Sequence, residues 1–159
     1  MLALAVMPAA YAQELPSNGT EYDCSVGPLS GAHEVPPNQS TAAGSFSLTL
    51  STTTNSVGNI ELLVGGLSSG ATFAAIQKGL AGKDGPAEVM IPLASFAGQT
   101  GFELSVPSVV PVANFKVKEI AMNPDHFYIN VGSINFPNGE IRAQIDQCVG
   151  SGPPHHPHV

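Results

Sequence analysis

Five polar residues carry the groups that could do chemistry in this chain: Glu34 near its start, and Tyr128, Asn130, Glu140 and Arg142 near its end. A carboxylate and a guanidinium can close a bidentate, charge-assisted bridge. Glu34 or Glu140 with Arg142 would then fasten one end of the chain to the other. The same residues could instead form a patch that holds a ligand. Two carboxylates could also flank a glycosidic bond. The chain has no Trp to build a sugar groove, and the Arg142 bridge accounts for the carboxylates better. Serines are plentiful, but no Gly-x-Ser-x-Gly elbow positions one as a nucleophile. The expectation is a non-enzymatic protein without a cofactor.

The histidines divide into two groups. His33 and His126 read as lone surface residues. His155, His156 and His158 cluster in a Pro-rich tail over 149–159, which reads as disordered. Such a tail can bind Cu(II), Ni(II) or Zn(II) loosely. Metal handling is therefore one reading of the protein. Cys24 and Cys148 are the only cysteines. In an oxidising compartment they could pair and close a very long loop. The alternative is two free thiols. A zinc site would need further Cys or His at ligand spacing, and none is near.

Composition narrows the partners. Charged residues make up only 11%, against about a quarter in an average soluble protein. The five basic residues form no stripe within a net charge of -7. A phosphate backbone needs clustered cations, so nucleic acid is not an expected partner. Met1 to Ala12 is apolar and ends in Ala10-Tyr11-Ala12, a small-x-small cleavage pattern. It reads as a signal peptide whose positive n-region is missing, so its start reads as truncated. It is too short to span a membrane. Its rival reading is a retained strand donated to a neighbouring subunit. Residues 13–23 read as a flexible lead-in. Asn18 and Asn38 each begin a glycosylation triplet. These signs point to a secreted or cell-surface protein.

The elements that must position the polar residues are strands. Phe46, Leu48 and Leu50 alternate with Ser and Thr, and Ile60, Leu62 and Val64 follow after a turn near Asn55. This pattern predicts an antiparallel hairpin. Ala71 to Lys78, Ala87 to Ile91 and Phe102 to Val106 predict three more strands. Gly79 to Pro86 reads as a plain turn. Residues 113–122 read as a short helix or an irregular strand. Phe127 to Val131 and Ile141 to Ile145 flank Pro137-Asn138-Gly139, a hairpin signal. Many short alternating strands imply an all-β fold: an antiparallel Greek-key sandwich or barrel with at most one short helix.

Two segments then carry a resemblance. Leu29-Ser30-Gly31-Ala32-His33-Glu34-Val35-Pro36-Pro37 is similar to the opening motif of the CHRD domain, the module named after chordin. Tyr128-Ile129-Asn130-Val131 with Gly139-Glu140-Ile141-Arg142-Ala143-Gln144 resembles its closing motif. The resemblance places one domain over 24–148. It implies a secreted β-sandwich that binds a protein or matrix partner and has no well-established catalysis. A homo-oligomer or filament subunit is the alternative role. The family commonly carries His-Ile-His where this chain has Ala75-Ile76-Gln77, and His-Thr where it has Gly132-Ser133. A metal site built on those imidazoles is therefore not expected here. Glu34, Tyr128, Asn130, Glu140 and Arg142 then read first as a clasp between the two motifs, and second as a ligand patch.

Overall fold

A computed structural model describes residues 21–107, 110–112 and 114–150. Met1 to Ala12, Asn18 and the tail histidines His155, His156 and His158 lie outside the described residues. The described chain is all-β. Its strands are β1 (Glu21–Ser30), β2 (Ala43–Ser51), β3 (Ser56–Gly65), β4 (Ala71–Lys78), β5 (Ala87–Met90), β6 (Phe102–Val106), β7 (Val110–Pro111), β8 (Phe127–Ser133) and β9 (Ile141–Gly150). One helix, α1, spans Asn114–Met122.

The strands form one antiparallel sheet in the order β5-β4-β8-β9-β1-β2-β3-β6, with β7 beside β3. The sheet curls into a half-barrel. Alternation decides which face is apolar, because successive side chains point to opposite sides. Leu48, Leu50, Ile60, Leu62, Ile76, Ile129, Ile141 and Ile145 are all buried in one cluster. Helix α1 packs against β2, β3 and β9. Its Val117, Ile120 and Ala121 are buried and join that cluster.

The domain is wider than the sequence implies at both ends. Glu21 to Asp23 belong to β1, not to a lead-in, and Val149 and Gly150 belong to β9, not to a tail. Tyr22 lies opposite Gly150, and Cys24 opposite Cys148. The two cysteines are joined by a disulfide across this central strand pair. β1 has no clean alternation in sequence because Gly27-Pro28 interrupts it. The structure absorbs the interruption as a register shift between Val26 and Leu29. A bulge is where a sheet tolerates proline.

The apolar face is ordinary core. The opposite face of β4, β8 and β9 is not. Ala75, Asn130, Arg142 and Ser30 stand in one row across β4, β8, β9 and β1. Gln77, Tyr128 and Gln144 form the next row. Residues opposite one another in a ladder share a face. These polar side chains are nevertheless largely buried, because two loops fold over them.

Candidate functional site

The first covering loop is residues 31–42. Gly31–His33 is a 3-10 turn. The Glu34 and Asn38 N–H groups both donate to the Gly31 carbonyl, at 3.1 and 3.0 Å. Gly31 is required here, because a Cβ would collide with Asn38 Oδ1. Asn38 Nδ2 donates to the Glu140 carbonyl at 3.0 Å, and its Oδ1 accepts the Ser40 N–H at 2.9 Å. The Asn38 amide is thus engaged in holding the loop. His33 Nδ1 lies 3.1 Å from the Arg142 carbonyl and ties the loop to β9.

The second covering loop is residues 79–86, between β4 and β5. Arg142 holds it down. Its guanidinium donates to the Leu80 and Lys83 carbonyls at 3.0 and 2.8 Å, to Asp84 Oδ1 at 3.3 Å and to Gln144 Oε1 at 3.0 Å. It also lies 3.4 Å from the Tyr128 ring centroid. The Tyr128 hydroxyl accepts the Gly85 N–H at 3.0 Å. Gln144 Nε2 donates to the Gly79 and Asp125 carbonyls. The loop that reads as a plain turn in sequence is therefore a lid fixed by an arginine only 1% exposed.

The expected Glu–Arg bridge does not form. The carboxylate paired with Arg142 is Asp84, itself 64% exposed. Glu140 precedes β9 and belongs to a separate network. Its carboxylate accepts from Ser40 Oγ at 2.5 Å, Ser133 Oγ at 2.6 Å, and Ser68 N–H and Oγ at 2.8 and 2.9 Å. Burial alone would push this carboxyl up. The Ser133 and Ser40 hydroxyls and the Ser68 donors outweigh it and hold Glu140 below its ordinary value. The segment after the opening motif is tied to Glu140 by Asn38 and Ser40, and His33 of the motif itself reaches the Arg142 carbonyl. A search for opposite charges in the sequence does not find those serines.

Replacing Arg142 tests the lid. Arg142→Lys should cost about 2–3 kcal/mol in urea unfolding, because one ammonium cannot reproduce a planar fork among several carbonyls. Hydrogen exchange at the Lys83 and Gly85 amides should quicken in parallel. Unchanged exchange there would mean that the loop holds itself.

Glu34 is placed differently. It is 6% exposed, and no ion pair connects it to Arg142. Its Oε2 is buried without a hydrogen-bond partner, and so is Asn130 Oδ1; among the described residues these two stand alone in that respect. The orientation of Asn130 is fixed, since its Nδ2 donates to Gln77 Oε1 at 2.6 Å and to the Asn138 carbonyl at 2.9 Å. Burial raises the Glu34 carboxyl to about 7; nearby Arg142 lowers it less, and Asp84 raises it further.

The consequence for stability has a definite sign. The folded state holds the Glu34 proton between 4.5 and about 7, where the unfolded chain has released it. Stability from this group is full below 4.5, falls as pH rises through that window, and levels above about 7. Glu34→Gln should remove the effect. The variant's stability relative to the parent should rise by about 2 kcal/mol between pH 5 and pH 8, after a discount for partial solvent screening. Urea unfolding of both proteins at the two pH values measures it.

Glu34, Tyr128 and Asn130 line one cleft of about 640 Å³, together with Phe73, Gln77, Asp84, Phe136 and the turn at Pro137-Asn138-Gly139. Arg142 lies behind Tyr128, and Glu140 is not in the lining. Of the five residues expected to act together, three meet at the cleft and two are structural. Gln77 of β4 lines the cleft, and Ala75 of the same strand does not. Gly132 has no room for a side chain, because a Cβ there would strike the Phe73 ring.

Among the described residues no group of three His, Cys, Asp or Glu side chains is arranged to hold a metal. No described helix is long and apolar enough to cross a membrane. Searches of curated proteins and of solved structures returned no match. A family model does match: the CHRD domain, over residues 26–145. That span runs from the bulge of β1 to the middle of β9 and includes both covering loops, so the chain belongs to the CHRD domain family.

Proposed function

We propose that this protein is a secreted, non-enzymatic binding module that takes its ligand in the cleft between the Glu34 loop, the 79–86 lid and the Pro137-Asn138-Gly139 turn. The observation that carries this reading is the pair of buried oxygens, Glu34 Oε2 and Asn130 Oδ1, both on residues lining that cleft and neither with a partner. A buried acceptor without a donor costs roughly 1–3 kcal/mol. A domain built only as a scaffold gains nothing from two such groups in one place. A cleft of this size lies in the range of small-ligand and side-chain pockets, about 300–1,000 Å³.

Secretion is supported by the disulfide, by the family and by the apolar opening run. Disulfides persist in oxidising compartments. The non-enzymatic part rests on Glu140 and on the family. Glu140 has its oxygens filled by serine donors, and domains of this family are known as non-enzymatic modules. Partners of the protein or matrix class fit this reading.

An NMR screen of the intact disulfide-bonded chain against a mixed fragment library tests the cleft. Shift changes should concentrate at Glu34, Phe73, Asn130 and Phe136. Changes centred on another surface, or none at the cleft, would refute the assignment.

A further inference from the structure

The lining of the cleft also selects a class of ligand. Resting on the proposal that the cleft is a binding site, we infer that it receives an organic cation: the ammonium or guanidinium group of a lysine or arginine side chain presented by a protein partner.

The lining is rich in acceptors and aromatic rings. Glu34 Oε2 and Asn130 Oδ1 are unpaired acceptors buried in its wall, and the exposed Asp84 carboxylate also lines it. The side-chain donors of Asn130, Gln77 and Tyr128 are committed. Asn130 spends its amide on Gln77 Oε1 and the Asn138 carbonyl. Gln77 donates to the Gly85 carbonyl at 3.0 Å, and the Tyr128 hydroxyl to the same carbonyl at 3.3 Å. Among the described residues no Lys, Arg or His lines the cleft. A ligand that only donates fits such a surface, and Lys and Arg heads are donors without acceptors. An anion would meet no cationic side chain in the lining. Phe73, Phe136 and Tyr128 add aromatic surface, which attracts cations through the ring quadrupole.

Charge points the same way. Glu34 is faced by Arg142 from β9, Asp84 from the lid and Tyr128 from β8, with His33 on its own loop and Asp146 across the neighbouring hollow. Arg142 is already divided among carbonyls, Asp84 and Gln144. Glu34 therefore has no ion-pair partner among the described residues, and no cationic side chain stands in the lining. A ligand cation would bind the ionised form of Glu34 and favour proton release.

The test uses the intact chain and four probes in NMR titration. These are Nα-acetyl-lysine methylamide, Nα-acetyl-arginine methylamide, the neutral Nα-acetyl-norleucine methylamide and methyl glucoside. A fifth arm, spermidine, separates a free polyamine from a peptide side chain. Lysine or arginine probes should shift Glu34, Tyr128 and Asn130, and bind at least about tenfold more tightly than norleucine or glucoside. Affinity should weaken about tenfold from pH 8 to pH 6 as Glu34 takes up its proton. That dependence should vanish in Glu34→Gln. In the parent protein, saturating probe should lower the Glu34 carboxyl pKa, followed by 13C labelling, by at least about one unit; this readout needs no variant to fold.

Equal binding of norleucine or glucoside at the cleft would overturn the cation and leave the cleft standing. A pH dependence that survives Glu34→Gln would also overturn it. Spermidine binding more tightly than both acetylated probes would overturn the peptide source. Silence at the cleft with every probe, together with a negative fragment screen, would overturn both readings.

Discussion

Glu140→Ala is expected to lower the unfolding free energy by about 3–5 kcal/mol in urea at neutral pH, because it strips a fully buried carboxylate from four donors. The carboxylate is 0% exposed. Its donors come from three places in the chain: Ser40 in the first loop, Ser68 after β3, and Ser133 at the end of β8. Removing it leaves those hydroxyls facing a cavity. It also loosens the first loop, since Ser40 loses its acceptor while Asn38 keeps the backbone carbonyl of residue 140. Glu140→Gln keeps the shape and loses the charge, so its cost should be nearer 1–2 kcal/mol, roughly one charge-assisted bond. The pH profile has the opposite sign to that of Glu34. The folded-state pKa of Glu140 lies below 4.5, so its contribution is complete above 4.5 and is lost as pH falls through the lower folded value. The parent should thus lose stability in acid more steeply than Glu140→Gln. An alanine variant as stable as the parent would mean that the serines satisfy one another.

Reducing the Cys24–Cys148 bond should cost about 5 kcal/mol, on the loop-entropy model for a closure of this length. The cysteines are 124 residues apart in sequence and lie directly opposite each other on β1 and β9. Native contacts therefore hold the pair in place even when the bond is open, and the loss should fall mainly on the unfolded state. The measurement is urea unfolding of oxidised protein against the Cys24→Ser, Cys148→Ser double variant. The denaturant slope should rise in the variant as its unfolded chain expands. Equal midpoints would remove the bridge as a source of stability.

Legibility from sequence tracks the range of the forces involved. β2, β3, β6, β8 and β9 are readable because Phe46 to Leu50, Ile60 to Val64, Phe102 to Val106, Phe127 to Val131 and Ile141 to Ile145 alternate. Alternation is local, and burial enforces it. β1 hides behind Gly27-Pro28, although it is the central strand, because a bulge breaks the period. The 113–122 segment shows a weak pattern since only Val117, Ile120 and Ala121 of α1 are buried among its neighbours. The site residues are recognisable as types and not as pairs. Opposite charges suggest Glu34 or Glu140 for Arg142, yet the lid brings Asp84 to it and the serines take Glu140. A serine that donates to a distant carboxylate leaves no period to detect. Nor does a loop reveal that its carbonyls will surround a guanidinium.

The contact between Phe73 and Gly132 constrains how this lineage can change. The two residues lie opposite each other on β4 and β8, and the ring occupies the volume that any side chain at 132 would need. Substitutions at these positions are therefore coupled. A side chain at 132 requires the half-buried Phe73 ring to swing away or to be replaced by a smaller residue. Shrinking Phe73 alone leaves a gap beside the cleft, which costs stability. The two positions should thus behave non-additively in a double-mutant cycle.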